Sequence, residues 1–201
     1  MNVLTGFKYI GQQILGFETT GKGHYLFGFE ESYGYLLGSY ARDKDAVEAA
    51  MMILEMTAYY KAKGMTLCDA LEGLYARYGY CYETNVEIYM EGLDGIERRR
   101  RLMAGLRECT PKAFGGVPVA SVADHSARTV KNLLTGEEAP TGMTASDVLY
   151  YTLENGDIVV VRPSGTEPKI KVYVMTQGKD ADEARANLTR YGQWVATLQK
   201  A

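Results

Sequence analysis

The periodicity of apolar residues changes at Gly79, and that change constrains the fold more than any other feature of the chain. Beyond it, apolar residues recur mainly at every second position, the spacing of half-buried strands. Val86, Ile88 and Met90 alternate with Asn85 and Glu87, and Ile170, Val172 and Val174 alternate with Lys169, Lys171 and Tyr173. Val117 to Val122 reads as a short strand. Tyr150–Leu153 and Ile158–Val161 flank Asn155-Gly156, a strong hairpin signal. Two helical patterns bracket these strands. One is at about 93–108, striped by Leu93, Ile96, Met103 and Leu106; the other is at about 179–199, striped by Ala181, Ala184, Leu188, Tyr191, Val195 and Leu198. Residues 79–201 are therefore predicted to form a complete α+β domain, an antiparallel sheet with helices on one face.

Residues 1–78 read differently. Phe7, Ile10, Ile14 and Phe17 predict a helix over 7–17, and Gly21-Lys22-Gly23 breaks it. His24 to Phe29 reads as a short buried strand, followed by a polar loop, Glu30-Glu31-Ser32-Tyr33-Gly34. A long helix at about 43–63 carries Val47, Ala50, Met51, Leu54 and Ala58 on one stripe, with Asp43 or Asp45 at its positive end and Gly64 as its stop. Thr66 and Asp69 form a variant capping box opening a helix at about 67–78, striped by Leu67, Leu71 and Leu74. One strand cannot satisfy its own backbone hydrogen bonds. The segment is thus expected to be a truncated α/β domain that lacks its sheet partners.

Composition excludes several classes. The 201 residues are 46% apolar and 23% charged, which is globular rather than disordered. A net charge of −3 argues against nucleic acid or an anionic membrane as partner. No stretch nears the ~20 apolar residues of a span, and the N-terminus lacks a charged-then-apolar signal pattern. Cys68, Cys81 and Cys109 are odd in number with no CxxC spacing, and only His24 and His125 could join them. Neither a disulfide framework nor a zinc site is expected, and the default compartment is the cytoplasm.

Four segments carry candidate chemistry. Arg162-Pro-Ser-Gly-Thr-Glu-Pro-Lys169 joins two apolar strands. Gly165 permits close backbone approach, Ser164 and Thr166 offer hydroxyls and amides, and Arg162 offers a fork of donors matched to phosphate oxygens. It reads either as an anion cradle or as a polar loop stiffened by two prolines. Glu30-Glu31-Ser32 reads either as a binder of sugar hydroxyls or a metal, or as an exposed acidic loop. Arg42-Asp43-Lys44-Asp45 alone reads as a charged, capped helix end. Arg98–Arg101 invites a nucleic-acid reading, but four consecutive residues span more than a turn and cannot all face one ligand. A solvated helix face fits better.

Taken together, these loops resemble a family. Phe29-Glu-Glu-Ser-Tyr-Gly34 is similar to the sugar-binding loop of the α-D-phosphohexomutases, and residues 162–169 look like their C-terminal phosphate-binding loop. Thr5-Gly-Phe-Lys8 resembles their third-domain specificity loop, and Arg42-Asp-Lys-Asp45 the charged segment after the sugar loop. The resemblance implies that residues 1–78 are the later part of domain 3 and 79–201 domain 4. The family's phosphoserine segment and its magnesium-binding Asp-Gly-Asp-x-Asp loop belong to domains 1 and 2 and do not occur here. The 201 residues alone are expected to be inactive, and exposed former interfaces are expected to promote self-association.

The implied reaction is reversible transfer of a phosphoryl group between C1 and C6 of a hexose. It runs through a phosphoserine and a glucose 1,6-bisphosphate-type intermediate with Mg²⁺ as cofactor. The resemblance assigns Glu30 and Ser32 to the sugar hydroxyls, and Thr5 and Gly6 to the sugar. Arg162, Ser164, Gly165, Thr166 and, at lower rank, Lys169 or Lys171 go to the phosphate not being transferred, and Lys44 to charge stabilisation or proton transfer. Many bacterial members carry His where this chain has Gly34, so no acid/base role transfers there, and Phe29 replaces a common Gly. Two other readings remain: a non-enzymatic phospho-ligand module using only 162–169, which would not need Glu30 and Ser32, and a nucleic-acid module, which the −3 charge disfavours.

Overall fold

The computed structural model describes residues 3–31, 33–165 and 167–198. The chain divides between Leu74 and Tyr75 into two compact units.

The first unit contains α1 (Phe7–Thr20), β1 (Phe27–Glu30), β2 (Gly34–Leu37) and α2 (Ala46–Ala62), and α3 (Leu67–Tyr78) runs across the boundary. Helix α1 forms where predicted because Phe7, Ile10 and Ile14 share one stripe, which buries against Leu36 of β2. Gly21 ends it in the left-handed region (φ 64°), its N–H donating to the Phe17 carbonyl. The predicted lone strand has a partner after all: β1 pairs antiparallel with β2, from Phe27 opposite Leu37 to Glu30 opposite Gly34. Nor is it buried. Phe27 and Phe29 are 52% and 64% exposed and stack with each other and with Tyr35 at centroid spacings of 5.8–6.3 Å. The inward positions are instead Gly28 and Glu30. A Cβ at Gly28 would lie 2.5 Å from the Tyr25 hydroxyl and 3.0 Å from Ile10, so only glycine lets α1 pack this closely.

Helix α2 starts at Asp45, whose Oδ1 accepts from the amides of Val47 (2.8 Å) and Glu48 (3.1 Å). It is tied to the hairpin by polar bonds: the Leu37 amide donates to Glu48 Oε2 at 2.8 Å, and the Asp45 amide to the Tyr35 carbonyl at 2.9 Å. Its predicted stripe of Val47, Ala50, Met51, Leu54 and Ala58 is not covered, and no residue of the helix is buried among those described. Helix α3 has its capping box: Thr66 Oγ1 accepts from the Asp69 amide (3.1 Å), and Asp69 Oδ2 from the Thr66 amide (2.7 Å).

The second unit is one antiparallel sheet with two helices. Its elements are β3 (Tyr80–Tyr89), α4 (Gly95–Glu108), β4 (Ala113–Phe114), β5 (Val117–Asp124), β6 (Thr129–Asn132), β7 (Glu138–Pro140), β8 (Leu149–Leu153), β9 (Ile158–Pro163), β10 (Lys169–Gly178) and α5 (Ala181–Leu198). The strand order is β3-β10-β9-β8-β5-β6-β7, with β4 paired to β5. Ile170, Val172, Val174, Val159, Val161, Leu149, Tyr151 and Leu153 form one continuous face. Met103 and Leu106 of α4 and Tyr191, Val195 and Leu198 of α5 pack on it, so both helices lie on one face, as predicted. Leu93 and Ile96 do not join them: α4 begins at Gly95, and both side chains point to solvent, Ile96 at 65% exposure. The face without helices is not fully solvated either, since Val148, Val160 and Tyr173 form a small buried cluster there.

The Asn155-Gly156 turn sits between β8 and β9, with Gly156 at φ 87° and its amide bonded to the Leu153 carbonyl. Behind it lies a fully buried carboxylate. Asp157 accepts from Tyr191 Oη (2.6 Å), Asn155 Nδ2 (2.7 Å) and the Gln177 amide (2.7 Å), joining hairpin, helix and central strand. Because the second unit holds the extended core, amide exchange in β9 and β10 is expected to be slower than anywhere in α2 or the β1–β2 hairpin. Hydrogen exchange read residue by residue checks this, and greater protection in the first unit would contradict it.

Candidate functional site

Strands β9 and β10 are centrally placed in the sheet, and residues 164–168 close the turn between them. Internal bonds shape this turn. The Ser164 amide donates to the Lys169 carbonyl (2.9 Å), the Lys169 amide to the Glu167 carbonyl (2.8 Å) and the Glu167 amide to Ser164 Oγ (3.3 Å). The Met90 amide, just past β3, donates to the Pro168 carbonyl at 2.8 Å. Gly165 is exposed, with no neighbour within 4 Å of where a Cβ would sit, so its backbone is open to a ligand. Thr166 lies outside the described residues.

Arg162 sits opposite Lys171, which sits opposite Glu87, in one row across three strands. Like charges facing across a ladder repel, and the one acid in the row is nearer lysine than arginine, with Lys171 Nζ 3.7 Å from Glu87 Oε1. The Arg162 Nε is buried and has no hydrogen-bond partner among the described residues. Buried guanidinium donors are normally paired. An anion at this end of the sheet would supply the missing acceptor and offset the repulsion.

Lys169 is differently placed. The alternation puts it on the polar face, but it is 4% exposed. Its Nζ lies 2.8 Å from Glu167 Oε2, 2.9 Å from Glu87 Oε1 and 3.3 Å from the Tyr89 hydroxyl. It clamps the turn to β3 rather than standing free for a ligand. The hydrogen bonds that it donates to Glu167 and Glu87 raise its pKa above the ordinary 10.5, and the bond from Lys169 holds Glu87 below the ordinary 4.5. The signs bound a window. The Lys169 contribution is complete below pH 10.5 and is lost as pH rises through its raised value; the Glu87 contribution is complete above pH 4.5 and is lost as pH falls through its lowered one. The carbonyl and amide signals of 164–169 are therefore expected to stay constant between pH 5 and 10 and to move outside it. A transition near neutrality, followed by NMR, would contradict the clamp.

In the first unit the β1–β2 turn carries the other candidate residues. Glu30 ends β1, and its side chain is 14% exposed. Lys44 Nζ lies 3.7 Å from Glu30 Oε1, 3.1 Å from Asp43 Oδ1 and 5.7 Å from the centre of the Phe7 ring. The Asp43 hydrogen bond, reinforced by Glu30, raises the Lys44 pKa above its ordinary 10.5, so it is an ammonium at neutral pH. Gly34 makes room for this pair. A Cβ there would stand 2.6 Å from Lys44 Cδ and 2.9 Å from Glu30 Oε1. Tyr33, beside it, is held at φ 61°, a costly conformation for a non-glycine residue. Ser32 lies outside the described residues.

Thr5 and Gly6 head α1, Gly6 being its first flanking residue. Lys8, Gly11, Gln12, Arg42 and Lys44 line an open groove between α1 and the 41–45 segment. Lys8 shares this groove with Lys44, a proximity that no spacing in the sequence marks. Among the described residues no group of three or more His, Cys, Asp or Glu side chains is placed to hold a metal ion.

These features define a two-unit α/β protein with an open turn beside an unpartnered arginine donor on an antiparallel sheet, and an acid–ammonium hairpin in the other unit. The comparisons give it a family. The alpha/beta/alpha domain III of phosphoglucomutase/phosphomannomutase matches residues 1–78, and the C-terminal domain of the same proteins matches 117–188. The chain is 35% identical over 181 residues to a phosphoglucomutase of Staphylococcus aureus (strain N315), covering 90% of this chain and 32% of that one. It is 36% identical over 193 residues to a probable phosphomannomutase of Haemophilus influenzae, covering 96% and 34%. In fold it is similar to the open form of parafusin, a Paramecium phosphoglucomutase, at TM-score 0.60 and 15% identity, over 98% of this chain and 33% of that one. The chain belongs to the phosphoglucomutase/phosphomannomutase family. It spans about a third of the length of the curated relatives it matches.

Proposed function

We propose that this chain supplies substrate-binding parts of a phosphohexomutase that interconverts hexose 1-phosphate and hexose 6-phosphate, an isomerase acting by phosphoryl transfer. The unpartnered, buried Arg162 Nε, facing Lys171 across the ladder, carries the reading. In it, residues 1–78 are the later part of domain III and 79–201 the C-terminal domain. Arg162 with the Ser164, Gly165 and Thr166 backbone holds the phosphate not being transferred, and Lys169 fixes the turn. Glu30 accepts from sugar hydroxyls with Ser32 beside it, Thr5 and Gly6 line the sugar's approach, and Lys44 stabilises negative charge. Such chemistry depends on positioning and charge neutralisation.

The phosphoserine, the Mg²⁺ and a glucose 1,6-bisphosphate intermediate are proposed to belong to the complete enzyme, with the metal held by residues other than those described here. Three exposed, unpaired cysteines suit a reducing compartment such as the cytoplasm. The open apolar stripe of α2 supports self-association of the 201-residue polypeptide.

The test is titration of the polypeptide with inorganic phosphate, glucose 6-phosphate and glucose, followed by amide NMR. The two phosphate-bearing ligands are expected to shift Ser164, Gly165 and Lys169, and glucose alone to leave them in place. Turnover of glucose 1-phosphate by the polypeptide is not expected. If neither phosphate ligand moves the 162–169 signals, the reading fails.

A further inference from the structure

We infer that Arg99 is a positioning residue for the 162–169 turn: from helix α4 it holds the turn's backbone in the form that receives an anion. The inference rests on the reading that this turn binds phosphate. It concerns the arginine run whose sequence reading was a solvated helix face. Arg98, Arg100 and Arg101 are exposed, and Arg100 pairs only locally, with Glu97 at 3.3 Å. Arg99 alone of the four is half-buried. Its Nε reaches back one helical turn to the Gly95 carbonyl at 3.4 Å, and its Nη1 donates to the Glu167 carbonyl at 3.0 Å, across 68 residues of sequence.

That carbonyl matters because a turn that binds an anion must present donors and keep its carbonyl oxygens turned away. The Glu167 oxygen accepts from two directions, the Lys169 amide at 2.8 Å and Arg99 at 3.0 Å, so both its lone pairs are used. The next carbonyl, Pro168, is taken by the Met90 amide. Two successive carbonyls are thus pinned by groups outside the turn. Without Arg99 the Glu167 carbonyl keeps only the local bond from the Lys169 amide, and the Glu167–Pro168 peptide, which has no N–H of its own, gains freedom to tilt its oxygen toward the anion. The ordering cost of binding then falls on the ligand.

The base of α4 is set for this contact. The Gly95 position approaches the Met90 carbonyl so closely that a Cβ would lie 2.0 Å from it. Only glycine lets the helix start directly against the strand end that holds Pro168. One glycine therefore fixes both the Met90 and the Arg99 ties to the turn.

The experiment is phosphate titration of the 201-residue protein and its Arg99→Ala, Arg99→Lys and Arg100→Ala variants by amide NMR, with unfolding temperatures measured in parallel. Arg99→Ala is expected to weaken phosphate binding about fivefold through lost pre-organisation. Its unfolding temperature should stay close to that of the parent, Arg99→Lys should recover part of the loss, and Arg100→Ala should match the parent. Parent-like affinity in Arg99→Ala overturns the inference and leaves the phosphate reading standing, as does a lowered unfolding temperature with unchanged affinity. Side-chain signals of Arg99 that shift with phosphate as strongly as those of Arg162 would make Arg99 a contact, not a positioner, and also overturn it. No phosphate response in the parent removes the phosphate reading and the inference together.

Discussion

Replacing Arg162 by alanine is expected to weaken phosphate binding by about tenfold or more, since a charge-assisted hydrogen bond contributes about 1.5–3 kcal/mol. The case rests on one side chain in one row of the sheet. Its Nε is buried without an acceptor, and its cross-strand neighbour is another cation. Lys131→Ala is the matched control. It also removes one positive charge, but Lys131 lies on β6, paired 3.1 Å from Glu138 and remote in sequence from the turn. A general electrostatic effect would weaken binding alike in both variants. A local site weakens it only in the first. Calorimetry or NMR titration reads the difference, and equal behaviour would remove the main support for the phosphate role.

The largest stability effect is expected at Asp157. Asp157→Ala strips the acceptor from Tyr191 Oη, Asn155 Nδ2 and the Gln177 amide at once. Each buried donor left unmade costs about 1–3 kcal/mol, so a loss of about 3 kcal/mol or more is expected. For a unit of this size that lowers the unfolding temperature by about 10 °C or more. Tyr191→Phe removes one donor and leaves two, so its loss should be clearly smaller. Thermal unfolding of the three proteins, monitored by near-ultraviolet circular dichroism, decides it. A shift within about 2 °C for Asp157→Ala would mean that water replaces the carboxylate without strain.

Local periodicity made the second unit legible. Ile170, Val172 and Val174 face the helices because period-two patterning fixes which side of a strand meets the core, and α5 buries Ala184, Tyr191, Val195 and Leu198 as its stripe implied. The short strands at one end of the sheet were not legible: β6 has four residues with Lys131 among them, and the edge strand β7 has three, with Glu138 and Pro140, residues typical of exposed edges. Strand β2 was missed because Gly34–Leu37 is too short to show alternation. Phe27 and Phe29 pointed to a buried strand, but side-chain apolarity cannot reveal that the close packing falls on Gly28 instead. The candidate residues were found through their motifs. The Arg99 contact and the internal clamp on Lys169 depend on where α4 and β3 lie in space, which no local pattern encodes.

The position of the 164–168 turn also restricts how it can change. It joins two neighbouring central strands whose pairing runs from Ile170 opposite Pro163 to Met175 opposite Ile158. An inserted residue must be absorbed in one of two ways. A slip by one would turn Ile170, Val172 and Val174 out of the core. A bulge within 164–168 would break the Ser164–Lys169 bond and carry Gly165 away from Arg162. The turn is thus locked in length by the sheet that carries it, and new ligand preferences would have to arise by substitution in place or in segments whose length is free.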